Sequence, residues 1–298
     1  MESSMLLEYS RAATLLLGSM HRYFFGWMLL AAFSSPVMAA DQWRLQSTFA
    51  WHDNVTNGER PEDILSALQA EARVETGWQR QLAGGQQVEA SVGFRAEAWS
   101  RYGGLDRLAP SASFAWSRKF GLGLDAPRLV VGVDGEWRVA RESGRGGGAG
   151  TAEVALRKRF GELWQGEISH QRERFDARSL AFVQTGQRWS ARVERALPAG
   201  WALALDAAWR KGTVLSYSFP PRKDLLLLGK PITFVDTFNQ REPLIAYYFP
   251  AETRLAGIEL RRDFERVGIT FRHEIRKSFH AGPGYENAIT SVRLVTRF

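Results

Sequence analysis

The sequence predicts an all-β fold, an antiparallel transmembrane β-barrel of about twelve strands, with ten or fourteen strands as the alternatives. Apolar and polar residues alternate through repeated segments of about ten residues, as in strands that have one face toward lipid and one toward water. Short and long connections alternate between these segments. After residue 40, no apolar run approaches the roughly 20 residues that a membrane-spanning helix needs.

The N-terminal residues 1–40 predict a cleavable export signal. A short basic stretch precedes the apolar core at 23–33, and small residues before Asp41 form a cleavage site. The apolar core has only about eleven residues, too few to cross a bilayer. Met20 is an alternative start, and an uncleaved anchor is the other interpretation of this segment. Residues 41–298 are then the predicted barrel domain.

Twelve segments of the sequence alternate apolar and polar residues in this way. An even number of strands leaves both ends of the chain on one side, which is the periplasmic side in bacterial single-chain barrels. The predicted strands cover 43–51, 68–82, 88–98, 112–120, 129–139, 152–160, 164–170, 188–197, 201–209, 254–264, 267–277 and 288–298.

Two kinds of connection join these strands. The short turns are predicted to be periplasmic, near Gly84, Asp125, Gly161, Pro198 and Glu265. The longer connections are predicted to be extracellular, near Asn57, Gly103, Gly147, Asp176, Asp224 and Gly282. The longest spans 212–252; constriction of the lumen, a cap, partner docking and simple extension of the flanking strands are its four interpretations.

The final predicted strand alternates an apolar face with a basic one and ends on Phe298. A terminal aromatic on such a strand resembles the C-terminal signature of bacterial outer-membrane β-barrels, which their assembly machinery reads. The resemblance implies an outer-membrane location and contact with outer-membrane lipid and lipopolysaccharide. It also makes Phe298 the predicted assembly signal and the barrel-assembly machinery a predicted partner.

The charge balance is basic and rich in arginine. Of 39 Lys and Arg residues 33 are arginine, the net charge is +7, and the isoelectric point is near 9.9. The arginines occupy alternate strand positions instead of clustering, which favours a water-filled lumen or lipopolysaccharide contact over a nucleic-acid partner. There is no cysteine, so disulfides and thiolate metal sites are excluded, and no cofactor or metal is predicted.

On this register one strand face carries dense charge toward the lumen. The predicted lumen-lining residues are Arg44, Arg73, Arg95, Arg138, Arg157, Arg159, Arg188, Arg192, Arg210, Arg272, Arg276, Arg293, Glu71, Glu97, Glu136 and Glu274. Two interpretations stay open. Opposite charges on neighbouring strands form a structural network that fills the interior, or surplus arginines guide carboxylate- or phosphate-bearing solutes through a conduit.

Two short segments resemble known barrels. Residues 271–276, Phe-Arg-His-Glu-Ile-Arg, resemble strands of the small porins for acidic oligosaccharides, which implies that Arg272 and Arg276 lie in a pore wall. Residues 53–56, Asp-Asn-Val-Thr, resemble first-strand ends in surface-polymer export barrels. The predicted function is therefore an outer-membrane channel or export component for polar, anionic solutes or polysaccharide, with anionic oligosaccharide or surface-export proteins as partners.

Two other classes of function are carried as alternatives. One is an outer-membrane enzyme acting on lipid or lipopolysaccharide, with His52 and Asp53 as first candidates, since a carboxylate and a histidine can position water. The Asp53-Asn54 pair equally suits a turn, no complete catalytic set is predicted, and the sequence favours a protein without enzymatic activity. The other alternative is a plugged barrel that docks a partner through 212–252.

Overall fold

The computed structural model describes residues 42–218, 235–236, 244–280 and 284–298. The predicted export signal, Met20 and the loop positions Asp224 and Gly282 lie outside these ranges. The described strands are β1 (Gln42–His52), β2 (Ala67–Leu82), β3 (Gln86–Trp99), β4 (Arg107–Lys119), β5 (Arg128–Ala140), β6 (Gly147–Phe160), β7 (Trp164–Ala177), β8 (Gln184–Ala196), β9 (Trp201–Ser218), β10 (Val235–Asp236), β11 (Leu244–Asp263), β12 (Val267–Phe279) and β13 (Gly284–Arg297). Single 3₁₀ turns occupy Pro61–Asp63, Ala83–Gly85, Gly103–Leu105, Ser143–Arg145, Leu180–Phe182 and Pro198–Gly200.

Twelve of these strands form one closed antiparallel sheet, which confirms the predicted fold and strand number. Neighbours along the chain pair with each other, β9 pairs with β11, and β1 pairs with β13. In the closing pair, Phe49 lies opposite Val292. The two-residue β10 pairs only with the start of β11, outside the ring. Closure satisfies the backbone hydrogen bonds that an open sheet edge would leave exposed to lipid.

The connections separate into two rims. The short-turn rim holds the start of β1, the end of β13 and the turns 83–85, 120–127, 161–163, 197–200 and 264–266. In the first of these, Gly84 and Gly85 adopt positive φ angles of 70° and 71°, which glycine tolerates without strain. The long-connection rim holds 53–66, 100–106, 141–146 and 178–183, together with the end of β9, the start of β11, the end of β12 and the start of β13. Gly147 and Asp176, near which two long connections were predicted, lie within β6 and β7.

The predicted long loop 212–252 is largely strand. Residues 212–218 extend β9 and residues 244–252 extend β11, so strand extension is the interpretation that describes both ends of this range. Consecutive residues 214–218 are all buried, because protein covers both faces of the sheet here. A strand covered on both faces lacks the apolar–polar alternation on which the sequence prediction depends.

The outer face of the barrel exposes large apolar side chains. Phe49, Val154, Leu205, Ile258 and Phe271 are 46–57% exposed, although each is an apolar residue in the middle of a strand. Such a face is unfavourable in water and suits lipid. No helix in the described ranges is long and apolar enough to span a bilayer.

The buried apolar core lies at the long-connection rim. It packs the ends of β7, β9 and β11 against the 3₁₀ turn Leu180–Phe182 and the start of β2. Its buried members are Ala67, Tyr102, Phe175, Ala181, Phe182, Leu215, Tyr217, Leu244 and Ala246. Phe175, Phe182, Leu215 and Tyr217 of this core also line the interior cavity described below.

Candidate functional site in the barrel interior

Charged side chains bridge non-neighbouring strands across the concave inner face. Arg95 of β3 contacts Glu136 of β5 at 2.6 Å and Glu71 of β2 at 3.7 Å, and Arg138 also pairs with Glu136. Their chain neighbours Phe94 and Trp137 are exposed on the outer face, so the Arg95–Glu136 pair spans β4 on the inner face. These four residues, Glu71, Arg95, Glu136 and Arg138, are the first wall network.

A larger network covers the opposite wall, since five strands separate β3 from β9 in each direction. The two terminal nitrogens of Arg272 donate to the two carboxylate oxygens of Asp206, each at 2.8 Å, the bidentate geometry that arginine favours. Arg272 also contacts Glu274 at 2.6 Å. The second wall network consists of Arg192, Arg261, Arg272, Arg276, Glu194, Asp206, Glu259 and Glu274. Its four cations balance its four carboxylates, as a structural network requires.

A cavity of about 560 Å³ lies in the half of the interior nearest the long-connection rim. Its wall combines aromatic rings with an excess of positive charge. Its cationic lining residues are Arg107, Arg138, Arg145, Arg188, Arg210 and Arg276, and its acidic ones are Glu97 and Glu173. Six cations and two carboxylates line a space large enough for a small polar solute. Arg138 and Arg276 also pair with Glu136 and Glu274 of the wall networks, and the lining itself still carries more positive than negative side chains.

Arg188 is the least compensated of the cavity arginines. It lies directly opposite Arg210 on the neighbouring strand, and like charges in that position destabilise a sheet. Arg210 is paired with Glu173, whereas among the described residues Arg188 has no ion pair. The Nε of Arg188 is buried without a hydrogen-bond partner there. This guanidinium is therefore available to a bound anion.

The remaining cavity arginines are held in place. Arg107 contacts Glu97 at 2.7 Å. Arg145 donates to the hydroxyl of Tyr217 at 2.7 Å and stacks 4.5 Å from the centroid of the Phe182 ring. Arg145 was absent from the predicted lumen set because it lies in a connection, where no strand alternation indicates which way a side chain points.

Eight predicted lumen arginines do not line the cavity, and five of these belong to neither wall network. Arg73 contacts Glu75 at 3.5 Å, and Arg157 pairs with Glu167. The other three are Arg44, Arg159 and Arg293. Arg44 and Arg159 are exposed, and Arg293 keeps a buried Nε without a partner in the described part of the chain.

The connection 53–66, called the mouth loop below, crosses the long-connection mouth. The side-chain amide of Asn57 donates to the carbonyl of Leu215 at 2.8 Å, and the hydroxyl of Ser216 donates to the carbonyl of Asn57 at 2.7 Å. The backbone N–H of Tyr217 donates to the carbonyl of Thr56 at 2.9 Å. Val55 and Asn57 thereby line the cavity, so the loop narrows its outer end.

The other side of the mouth loop is anchored on β13. Asn54 is 1% exposed, and its amide nitrogen donates to the carbonyls of Gly58 at 2.8 Å and Glu286 at 2.9 Å. Asn287 in turn donates to the carbonyl of Asn54 at 2.8 Å. From the sequence, Asn54 was predicted only to start a turn, because partners more than two hundred residues away leave no local signal.

The two candidate catalytic residues make structural contacts. His52 shares a hydrogen bond with Gln69 at 2.8 Å, and its ring centroid lies 4.9 Å from that of Trp99. Asp53 accepts the backbone N–H of Ala288 at 2.7 Å, which fixes the start of the mouth loop against β13. His, Asp and Glu side chains in the described ranges form no cluster of three suited to a metal ion.

Comparisons with known proteins agree with the architecture. No protein-family model matches the chain, and no curated protein matches it significantly. An outer membrane channel from Pseudomonas putida F1 shares its fold, with 10% identity over 89% of this chain and 97% of the channel, and a TM-score of 0.55. NanC porin gives a TM-score of 0.47, with 8% identity over 85% of this chain and 98% of that one. KdgM porin in complex with oligogalacturonate gives a TM-score of 0.42, with 6% identity over 86% of this chain and 99% of that one.

Identities of this size show the fold alone, and the two porins are too distant to inform function. The fold, however, is specific. A closed antiparallel barrel of twelve strands with an apolar outer face and a charged interior is the architecture of bacterial outer-membrane β-barrels, as the terminal strand predicted from the sequence.

Proposed function

We propose that this protein is an outer-membrane channel that favours anionic solutes. The observation that carries the proposal is the surplus of arginine around the interior cavity, with Arg188 left without an ion pair in the described structure. A structural network alone would balance its charges, as the second wall network does. Cations kept unbalanced at a constriction lower the electrostatic barrier for anions and raise it for cations.

The proposed route follows the barrel axis. Solutes enter past the mouth loop on the extracellular side, cross the arginine-lined cavity, and leave at the short-turn rim on the periplasmic side. Guanidinium groups suit carboxylate and phosphate because their donors match two oxygens at once. The aromatic rings of Phe175, Phe182 and Tyr217 beside them supply an apolar surface for the body of the solute. The fold shared with an outer membrane channel supports this route.

Ion selectivity in planar bilayers tests the proposal. In a salt gradient, the reversal potential of the purified barrel is expected to indicate preference for chloride over potassium. Arg188→Glu should lower that preference or invert it, because the change removes one positive charge from the cavity and adds one negative charge.

Arg172→Glu is the matched control. Arg172 lies on the outer side of β7, next to Gln171, whose position is directly opposite Arg188. Arg172→Glu changes the net charge by the same amount but outside the lumen, so ion selectivity should stay at the wild-type value. Cation preference in the wild-type barrel, or equal shifts in both variants, would contradict an anion-favouring channel.

A further inference from the structure

Charges on the outer face of the barrel are confined to its two rims. On β11, for example, the outward residues between Arg254 and Arg262 are Ala256, Ile258 and Leu260. On the other described strands the outward Arg, Lys, Asp and Glu residues likewise lie toward one rim or the other, and Arg172 of β7, at the long-connection end, is the one set furthest in from its strand end. The uncharged belt between the rims fits the hydrocarbon layer of a bilayer, so both rims lie at the depth of lipid headgroups.

The short-turn rim carries a ring of outward-facing cations. Its members, the basic ring, occupy every second strand around the barrel: Arg80 on β2, Arg118 on β4, Lys158 on β6, Arg195 on β8 and Arg262 on β11. None of the five has an ion pair within the described part of the chain. The acids nearest to this rim are Asp125, Glu162 and Glu265 in the turns and Asp263 at the end of β11, and Asp263 pairs with Arg261 and not with Arg262.

Four members of the basic ring lie against aromatic rings. The guanidinium of Arg262 is 5.3 Å from the centroid of Trp201 and 4.8 Å from that of Phe264, and that of Arg195 is 5.2 Å from Trp164. Arg118 and Lys158 are each 5.4 Å from a phenylalanine two residues away. Aromatic rings of this kind reside at the interface between hydrocarbon and headgroups, which puts these four cations level with lipid phosphates.

The long-connection rim differs in how its outward charges are satisfied. Arg172 and Arg254 have no ion pair among the described residues, but four other cations contact a carboxylate of the protein itself. These pairs are Arg141–Asp106 at 3.9 Å, Arg174–Asp176 at 2.8 Å, Lys211–Glu252 at 3.6 Å and Lys277–Glu286 at 3.7 Å. Carboxylates of the chain thus compensate part of the charge at this rim, whereas no member of the basic ring has such a partner in the described structure.

We propose that the basic ring binds the phosphates of anionic glycerophospholipids in the leaflet that meets the short turns. The charge is complementary, the aromatic contacts hold the cations at headgroup depth, and spacing on alternate strands leaves room for a separate headgroup at each cation. Phospholipid bound at one rim only would also fix the depth of the barrel in the membrane. This interaction is independent of what passes through the lumen.

Native mass spectrometry tests the proposal with phosphatidylglycerol and phosphatidylcholine as probes. The barrel is purified from membranes and mixed with equal amounts of the two lipids. Wild-type barrel is expected to retain phosphatidylglycerol in preference. In Arg118→Gln/Arg195→Gln/Arg262→Gln that preference should fall about fivefold or more, because each basic residue near an anionic surface contributes a binding factor of this order.

The matched control removes three cations from the other rim, as Arg141→Gln/Arg174→Gln/Lys211→Gln. It should retain the wild-type preference, and Arg118→Lys/Arg195→Lys/Arg262→Lys should retain it as well because the charge is kept. The heat-dependent shift in gel mobility verifies that each variant is folded. If the triple glutamine variant does not fold, Arg262→Gln alone replaces it and should lose part of the preference for phosphatidylglycerol. Absence of a preference in wild type, or equal loss in the control triple, would overturn the proposal.

Discussion

Asn57 and Ser216 are joined across the mouth of the barrel, although 158 residues lie between them in the chain. The hydroxyl of Ser216 donates to the carbonyl of Asn57, while the Asn57 amide donates to the neighbouring carbonyl of Leu215. Asn57 has a φ of 51°, a left-handed conformation that asparagine adopts more readily than most residues. Two side-chain hydrogen bonds and one backbone bond thus hold the mouth loop on β9.

Removing the two side-chain bonds should release the loop and widen the channel. Asn57→Gly keeps the left-handed backbone accessible, and Ser216→Ala removes the second donor. At about 1 kcal/mol for each bond, the double variant should shift the ratio of docked to undocked loop by about 30-fold. Single-channel recordings are expected to show larger conductance steps and more frequent fluctuations than wild type.

Ser190→Ala provides the comparison for that measurement. The hydroxyls of Ser169 and Ser190 share a hydrogen bond of 2.7 Å in the wall, away from the mouth loop. Its loss should leave the conductance as in wild type. An unchanged conductance in the Asn57→Gly/Ser216→Ala barrel would show that the docked loop does not limit flow.

The second wall network should contribute to stability through Arg272. Arg272→Gln leaves Asp206, Glu259 and Glu274 with one cation fewer at side chains that are at most 10% exposed. We expect a loss of about 2–3 kcal/mol, less than for a fully desolvated pair because the lumen admits water. The urea dependence of the heat-modifiable gel band of the refolded barrel measures this loss.

A second substitution separates the ion pair from the loss of side-chain volume. Arg272→Gln/Asp206→Asn removes the uncompensated carboxylate as well and should recover part of the stability, by about 1 kcal/mol or more. Strictly additive losses in the double variant would argue that the 2.8 Å bidentate contact is energetically neutral.

The outer face gives a prediction about membrane assembly. Val154 is 47% exposed on β6, opposite Val131 of β5 and His170 of β7. Val154→Arg should destabilise the inserted barrel by about 2–4 kcal/mol near the bilayer midplane. Glu153→Arg, one residue away on the inner face, should assemble normally. Folded yield in lipid vesicles is the measurement, and the reverse order of yields would contradict the assignment of faces.

Phe298 offers a test of the predicted assembly signal. Its backbone N–H donates to the carbonyl of Trp43 at 2.9 Å, while its ring is 72% exposed and contributes little packing. Phe298→Ala should therefore leave refolding in vitro nearly unchanged but reduce the amount of folded barrel in cells. Equal losses in both settings would assign the ring a structural role and none in recognition by the assembly machinery.

Alternation within strands made most of the architecture predictable. Each of the twelve predicted segments lies in or largely overlaps a barrel strand, since lipid on one side and water on the other impose a period of two on residues such as Phe49, Val154 and Ile258. The pairing of Arg95 with Glu136 was within reach of the same reasoning, because the register already directs both side chains inward.

The local sequence pattern could not predict how the mouth loop is held in place. Asn54, Thr56 and Asn57 are polar residues in a short connection, and nothing in their neighbourhood indicates burial. Their partners outside the loop lie on β9 and β13, and only closure of the barrel brings those strands within reach. The extra length of β9 and β11 was not predicted for a related reason. Strand residues that are covered on both faces do not alternate between apolar and polar.

Pairing of β1 with β13 has a consequence for the order of events during biogenesis. Until β13 is available, the first strand and the most recently formed one both present unpaired backbone edges, which invite association between chains. A partly formed sheet is therefore prone to aggregation, and a partner that covers its two edges would protect it. Pairing of β1 with β13 removes both edges at once, because it converts the open sheet into a closed barrel.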